Sequence, residues 1–254
     1  MSKPFVNPVE LPTSILDHAA PTLRAQPIEA LEDTATLART VSPLLAPQET
    51  QRLISELDVH RWRPVGLDGI ADHWTQGDPI GSWRISSYSP ALATLLWHRV
   101  RVTLDETRMM CDRTPTDWDG HRIWRPVGVN PLLRFIRYER AGLLVPHYDA
   151  PYDYGDETRR TLVTLVVYLE RSEGMRGGAT RFIADPQAAI PLTQRNYDDW
   201  DRLAQDREII ARVDPQPGSA LLFDHRVLHD SEPLSGSGRK TIMRTDIIYE
   251  KAGG

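Results

Sequence analysis

The period of the hydrophobic pattern changes near the middle of the chain. In Pro47–Leu57, Leu53, Ile54 and Leu57 recur at helical spacing, and Pro47 suits a first helical turn. Pro90 opens a second stretch of this kind, with Leu92, Leu95, Leu96 and Val100 along one side. From residue 132 the period shortens. Residues 132–138, 162–168 (LVTLVVY), 180–183, 219–223 and 241–249 read as strands. The turns Ala141-Gly142, Arg176-Gly177-Gly178 and Pro217-Gly218 separate them. Short strands joined this way predict an antiparallel sandwich or jelly roll, so the expected class is mainly β with flanking helices.

The remaining segments carry weaker patterns. Residues 1–40 read as an arm or short helices, 62–81 as loops or short strands, and 111–131 as loop. Residues 185–212 read as an insertion containing a helix. Asn196 is its cap, Asp198 and Asp199 lie in its first turn, and Tyr197, Trp200, Leu203 and Ala204 lie on one side. No repeat or linker interrupts the chain. The expectation is one domain over 1–254, in which 1–131 is mostly helical and loop support and 132–249 forms the β core.

Composition narrows the classes. The 254 residues are 40% hydrophobic and 26% charged, values of a globular chain. Cys111 is the only cysteine, which excludes a disulfide-framed scaffold and suits a reducing compartment. A formal charge of −5 lacks the basic footprint of a nucleic-acid binder. The apolar run 162–169 is too short to span a bilayer, and residues 1–14 lack the apolar stretch of a secretory leader. These features predict a cytoplasmic protein with neither nucleic acid nor membrane as partner.

The chemistry concentrates in Pro146-His147-Tyr148-Asp149. On a strand, residues two apart share a face, so His147 and Asp149 can present an imidazole and a carboxylate together. His229, closing the run Leu222-Phe223-Asp224-His225-Arg226-Val227-Leu228-His229, is the candidate third ligand. Two histidines and one carboxylate on one face of an iron leave three positions open, the arrangement of non-haem Fe(II) oxygenases. His18, His60, His73, His98 and His121 have no partner at comparable spacing.

Downstream of the triplet come Thr164-Leu165-Val166-Val167-Tyr168-Leu169, Gly177-Gly178-Ala179-Thr180-Arg181-Phe182, Pro217-Gly218-Ser219-Ala220-Leu221-Leu222-Phe223 and His229-Asp230-Ser231-Glu232-Pro233-Leu234. The run Arg239-Lys240-Thr241-Ile242-Met243-Arg244-Thr245-Asp246 closes the set. In this order and spacing the sequence resembles the 2-oxoglutarate/Fe(II)-dependent oxygenases of the prolyl 4-hydroxylase-like type. The resemblance covers roughly residues 133–249, less 185–212. It implies a double-stranded β-helix, with Fe(II), 2-oxoglutarate and molecular oxygen as cofactor and co-substrates. By position, His147, Asp149 and His229 match the iron ligands. His225 competes for the last place, and His229 is preferred because Pro233-Leu234 follows it.

The resemblance also implies a basic residue for the distal carboxylate of 2-oxoglutarate about ten positions after the second histidine. Arg239 stands at ten and Lys240 at eleven. Aligning on the final strand selects Lys240, and strand alternation puts Lys240, Ile242, Arg244 and Asp246 on one face. On that face Arg244 could pair with Asp246, contact the co-substrate or hold an acidic substrate group. Tyr168, Tyr138 and Thr180 match positions lining the co-substrate pocket. The implied reaction is oxidative decarboxylation of 2-oxoglutarate to succinate, coupled to oxidation of a substrate C–H bond. With Asp149 in place, hydroxylation is favoured over halogenation, because halogenases of this fold carry Gly or Ala there.

The substrate expectation is a small molecule, an amino acid or specialised metabolite, with peptidyl proline as the alternative. Arg84, Tyr152, Tyr154 and Trp200 are its candidate contacts. A cupin-like metal hydrolase or isomerase, or a metal-free jelly-roll binding module, would need neither Lys240 nor Tyr168.

Overall fold

The computed structural model describes residues 8–32, 37–66, 81–108, 124–152, 154–155, 158–191 and 194–251. Of the loop expected over 111–131, residues 111–123, with Cys111, Trp118 and His121, lie outside the described residues, as does His73, while Trp124–Val129 is a strand. In chain order the elements begin with β1 (Arg24–Pro27), α1 (Glu29–Glu32), β2 (Ala38–Ser42) and α2 (Pro47–Leu57). Then come β3 (Arg63–Pro64), β4 (Ser82–Tyr88), α3 (Pro90–Arg108), β5 (Trp124–Val129) and β6 (Leu132–Tyr138). The core continues with β7 (Leu144–His147), β8 (Arg159–Arg171), β9 (Met175–Gly177), β10 (Thr180–Ile183) and β11 (Ile209–Val213). It closes with β12 (Ala220–Asp224), β13 (His229–Ser231), β14 (Leu234–Gly236) and β15 (Lys240–Lys251).

A major sheet runs β1-β2-β12-β8-β15-β6-β4-β3, with β5 also paired to β15. A minor sheet runs β11-β10-β13-β7, and β14 pairs with β9. All the pairings between these strands are antiparallel. The two sheets form the expected double-stranded β-helix.

The central strand β8 explains its own unbroken apolar run. Val163, Leu165, Val167 and Leu169 face the cluster that also holds Leu53 and Leu57 of α2 and Leu92, Leu96, Val100 and Leu104 of α3. Val166 and Tyr168 face the other cluster, between the sheets, with Phe182 and Phe223. A strand covered on both faces has no solvent side to alternate with. The apolar stripes of α2 and α3 are the ones their spacing predicts, and both helices start at the expected prolines. Glu49, buried in the first turn of α2, accepts the Ala46 N–H at 2.7 Å and a two-pronged contact from Arg99 of α3 at 2.6 and 2.9 Å. Arg99 also donates to the carbonyls of Leu44 and Asp17, so one buried ion pair joins both helices to the N-terminal segment.

Three expectations need correction. Residues 1–131 supply β1 to β5 as well as the two long helices, and β1 and β2 extend the major sheet along β12. The segment 185–212 is shorter as an insertion than expected, because Ile209–Val213 is β11, paired with β10. Its alternating burial is that of an edge strand. The helix expected after Asn196 does not form. Asn196 Oδ1 does accept the Asp198 N–H at 2.9 Å, as a cap would. The Asn196 backbone, however, is taken by the Gln187 amide at 2.7 Å on both its N–H and its carbonyl. The Trp200 N–H donates to Pro146 at 2.8 Å. Tyr197, Trp200 and Ala204 still pack inward, against Tyr148, Ile183 and Leu228, whereas Leu203 is exposed. The apolar face is as expected, but on an irregular loop.

Candidate metal centre

A cavity of about 270 Å³ opens between the two sheets. The minor sheet brings His147 and His229 to it as direct cross-strand partners on β7 and β13, with ring centroids 4.2 Å apart. Asp149 lies just past the end of β7 rather than on the strand. Its N–H donates to the His225 carbonyl at 3.1 Å, which turns the carboxylate toward the rings. Asp149 Oδ1 is 3.8 Å from His147 Nε2, and Oδ2 is 3.7 Å from His229 Nε2. One ligand atom from each of the three lies within 4.8 Å of the others.

Both histidines are oriented in the same way. His147 Nδ1 sits 2.8 Å from the Val145 carbonyl and His229 Nδ1 2.9 Å from the Val227 carbonyl. Each carbonyl, two residues back, takes the Nδ1 proton and leaves Nε2 as a bare lone pair facing Asp149, as a metal-ligating histidine requires. Burial, with His147 beside it, pulls the His229 imidazole down to about 3, so it is neutral at ordinary pH. Burial pushes the Asp149 carboxyl up, but Arg244 and the histidines outweigh it and hold the group well below the usual carboxylate range. Two imidazoles that turn Nε2 to one point and a firmly ionised carboxylate form a donor set that fits a divalent iron.

Thr164 of β8 donates its hydroxyl to Asp149 Oδ2, and Arg244 Nη2 lies 2.8 Å from Oδ1. Arg244 also reaches Asp246 Oδ1 at 3.2 Å, so of the three roles open to it, pairing with Asp246 is present. His225 does not face His147. It is buried 3.5 Å from Asp246 Oδ1, and its ring nitrogens make no hydrogen bond among the described residues.

At the other end of the cavity is Lys240, only 1% exposed. Its Nζ donates to the Gly178 carbonyl at 2.8 Å and to Ser231 Oγ at 2.7 Å, and lies 4.3 Å from the centre of the Tyr138 ring. Burial lowers its pKa to about 7, against the pull of Glu232 and Asp230. Tyr138, pushed up to about 12 by burial, stands directly opposite Lys240 on β6, and Thr180 also lines this end. Tyr168 does not line the cavity. It stands behind Thr180, with its hydroxyl 2.8 Å from Thr180 Oγ1. Arg239 faces outward and pairs with Glu170 at 2.8 Å, so the alternation of the last strand is the predicted one.

Of the substrate candidates, only Arg84 lines the cavity. Tyr152 and Tyr154 pack edge to face on one another at 4.9 Å, and Arg159 covers Tyr154. Trp200 is held against the outer side of the minor sheet under Arg202. Sequence reasoning missed Arg134 and Ser231, both on the cavity wall. Arg134 had a signal: it lies four residues before Tyr138 on one strand, hence on the same face.

A closed pair of β-sheets with two histidines and a carboxylate at one spot and a buried lysine at the far end defines a metal-dependent enzyme of the double-stranded β-helix class. Residues 133–245 match the family model described as the 2OG-Fe(II) oxygenase superfamily. Over those residues the chain is similar to this superfamily, a class of dioxygenases that use Fe(II), 2-oxoglutarate and oxygen. Among solved structures, the chain is similar to the viral collagen prolyl hydroxylase vCPH of Paramecium bursaria Chlorella virus-1 in its 2OG complex. Identity there is 16%, covering 84% of this chain and 96% of that one, with a TM-score of 0.46. A Pseudomonas putida prolyl-4-hydroxylase is also 16% identical, covering 86% and 97%, at 0.46. HygX of Streptomyces hygroscopicus, with nickel, 2-oxoglutarate and hygromycin B bound, is 14% identical, covering 87% and 86%, at 0.45. No curated protein matches the chain. Among the described residues no helix is long and apolar enough to cross a membrane.

Proposed function

We propose that this chain is a dioxygenase that hydroxylates a C–H bond of a small molecule, with its iron on His147, Asp149 and His229. The observation that carries the assignment is the convergence of the two Nε2 lone pairs and the Asp149 carboxylate, each fixed from behind by a second group. Bound there, Fe(II) would supply the oxygen-activating and C–H-cleaving chemistry.

The chain's own residues position the reactants. Lys240 and Thr180 receive the distal carboxylate of 2-oxoglutarate, with Tyr138 as the wall beside it and Tyr168 orienting Thr180. Thr164 and Arg244 hold Asp149 ionised and oriented, so that it remains a ligand rather than swinging into the cavity. Ile136, Val166, Phe223 and Ile242 give the cavity apolar walls that limit water. A cavity of this size between two sheets suits a small substrate.

The test is a calorimetric titration of 2-oxoglutarate into the chain loaded with nickel as a redox-inert metal, followed by assay of succinate with iron and oxygen. The expected result is one 2-oxoglutarate per chain, dependent on metal, and succinate that increases when substrate is supplied. A metal-loaded chain that does not bind 2-oxoglutarate would overturn the reading.

A further inference from the structure

The cavity has a second cationic group, far along the strands from Lys240. Arg134 of β6 stands directly opposite Arg244 of β15, while Tyr138 stands opposite Lys240 on the same two strands. The two pairs are four residues apart, roughly 13 Å at the rise of a strand. The carboxyl carbons of 2-oxoglutarate are four bonds apart, at most about 6 Å. One molecule of it held at Lys240 therefore does not by itself span the distance between the two backbone positions.

Arg84 joins Arg134 from the next strand. The pairings Ser86 with Arg134 and Arg84 with Ile136 put Arg84 on the cavity face, diagonal to Arg134. Both arginines line the cavity. Arg134 is pulled down to about 10 by burial and by the charges of Arg244 and Arg84, against Asp246. Crowded, desolvated guanidinium groups of this kind are stabilised by an added anion.

The acids among the described residues do not use up the charge of Arg134. Asp149 serves the metal and Arg244. Asp230 is taken by Arg181 at 2.5 and 2.8 Å. Asp246 is shared by Arg244 at 3.2 Å, His225 at 3.5 Å and Arg134 at 3.5 Å. That last contact is too long for a hydrogen bond, and Arg134 Nη1 makes none among the described residues.

Resting on the oxygenase reading above, we propose that Arg134, with Arg84 beside it, anchors an anionic group of the substrate. The substrate is then an acidic small molecule, bound by its carboxylate, phosphate or sulfate at this end of the cavity. Arg134 acts as a specificity residue, and the guanidinium fork suits two oxygens of such a group.

The test uses the full chain loaded with nickel and saturated with 2-oxoglutarate, so that Lys240 is already engaged. Propanoate, inorganic sulfate and the neutral propanamide are titrated by calorimetry at constant ionic strength. The expected result is saturable binding of an anion and none of propanamide, with propanoate and sulfate distinguishing a carboxylate from a sulfate-like group. Arg134→Met should weaken the anion at least tenfold and Arg134→Lys less, with 2-oxoglutarate affinity unchanged within twofold and the melting temperature reporting the fold. No saturable anion binding, or binding equally strong in Arg134→Met because the anion sits on the metal, would overturn the proposal. If 2-oxoglutarate itself fails to bind, the oxygenase reading has failed. The same anion titration on the metal-free chain then decides the anchor separately.

Discussion

Lys240 is enclosed between Tyr138, Gly178 and Ser231 with no acid in contact among the described residues, and burial lowers its pKa from the ordinary lysine value to about 7. A carboxylate beside it would favour the ammonium form. Between pH 7 and the ordinary lysine range, the free site has lost a proton that the bound site keeps, so 2-oxoglutarate binding should take up a proton. The uptake should grow from pH 7 to 9, as read from calorimetric enthalpies in two buffers of different ionisation enthalpy. Binding without uptake at pH 8.5 would mean that another group holds the acid. Lys240→Met should weaken 2-oxoglutarate at least about thirtyfold, since losing one side of a buried, hydrogen-bonded charge pair costs about 2–5 kcal/mol. Arg239→Met, which loses half-buried pairs to Glu170 and Asp58 outside the cavity, should stay near wild type. The reverse pattern in a titration of both variants would contradict the assignment. The choice of Lys240 over Arg239 was legible in the sequence, because alternation along a strand needs no tertiary knowledge. The charge of Arg134 was legible too, but its pairing with Arg244 across strands distant in sequence was not.

At the scale of elements, Arg99 and Glu49 tie α3 to the start of α2 and both to the N-terminal segment. Arg99→Leu leaves a buried carboxylate unpaired and should cost about 3–5 kcal/mol, measured by urea unfolding. The pair lies on the helix side of β8, away from the cavity, so 2-oxoglutarate affinity of the folded variant should be unchanged. An equal loss of affinity would show that the helices shape the site. The helices themselves were legible because prolines open them and apolar residues recur along one stripe. The loop after Asn196 was misread because its cap chemistry is real, while Gln187, nine residues away, takes the backbone groups that a helix would use. Likewise the residue types of β11, Ile-Ile-Ala-Arg-Val, hardly alternate although its burial does, and its pairing with β10 spans an intervening loop.

For the whole molecule, two sheets whose strands alternate along the chain meet so that β7 and β13 supply the histidines and β15 supplies Lys240 and Arg244. His229 and His225 differ by four residues, and the fold separates them: one faces His147, the other is buried against Asp246. The order of motifs made this topology legible. The strands before residue 131 were not, because a short segment such as Arg24–Pro27 carries little apolar signal, and its partner Ala38–Ser42 joins the sheet through β12, far along the chain. The most direct measurement is a paired titration of metal and then 2-oxoglutarate into the wild type, His229→Ala and His225→Ala. The account predicts one metal per chain in the wild type, metal-dependent binding of one 2-oxoglutarate, loss of both in His229→Ala, and at least partial retention in His225→Ala. Full metal and 2-oxoglutarate binding in His229→Ala, with both lost in a folded His225→Ala, would contradict it.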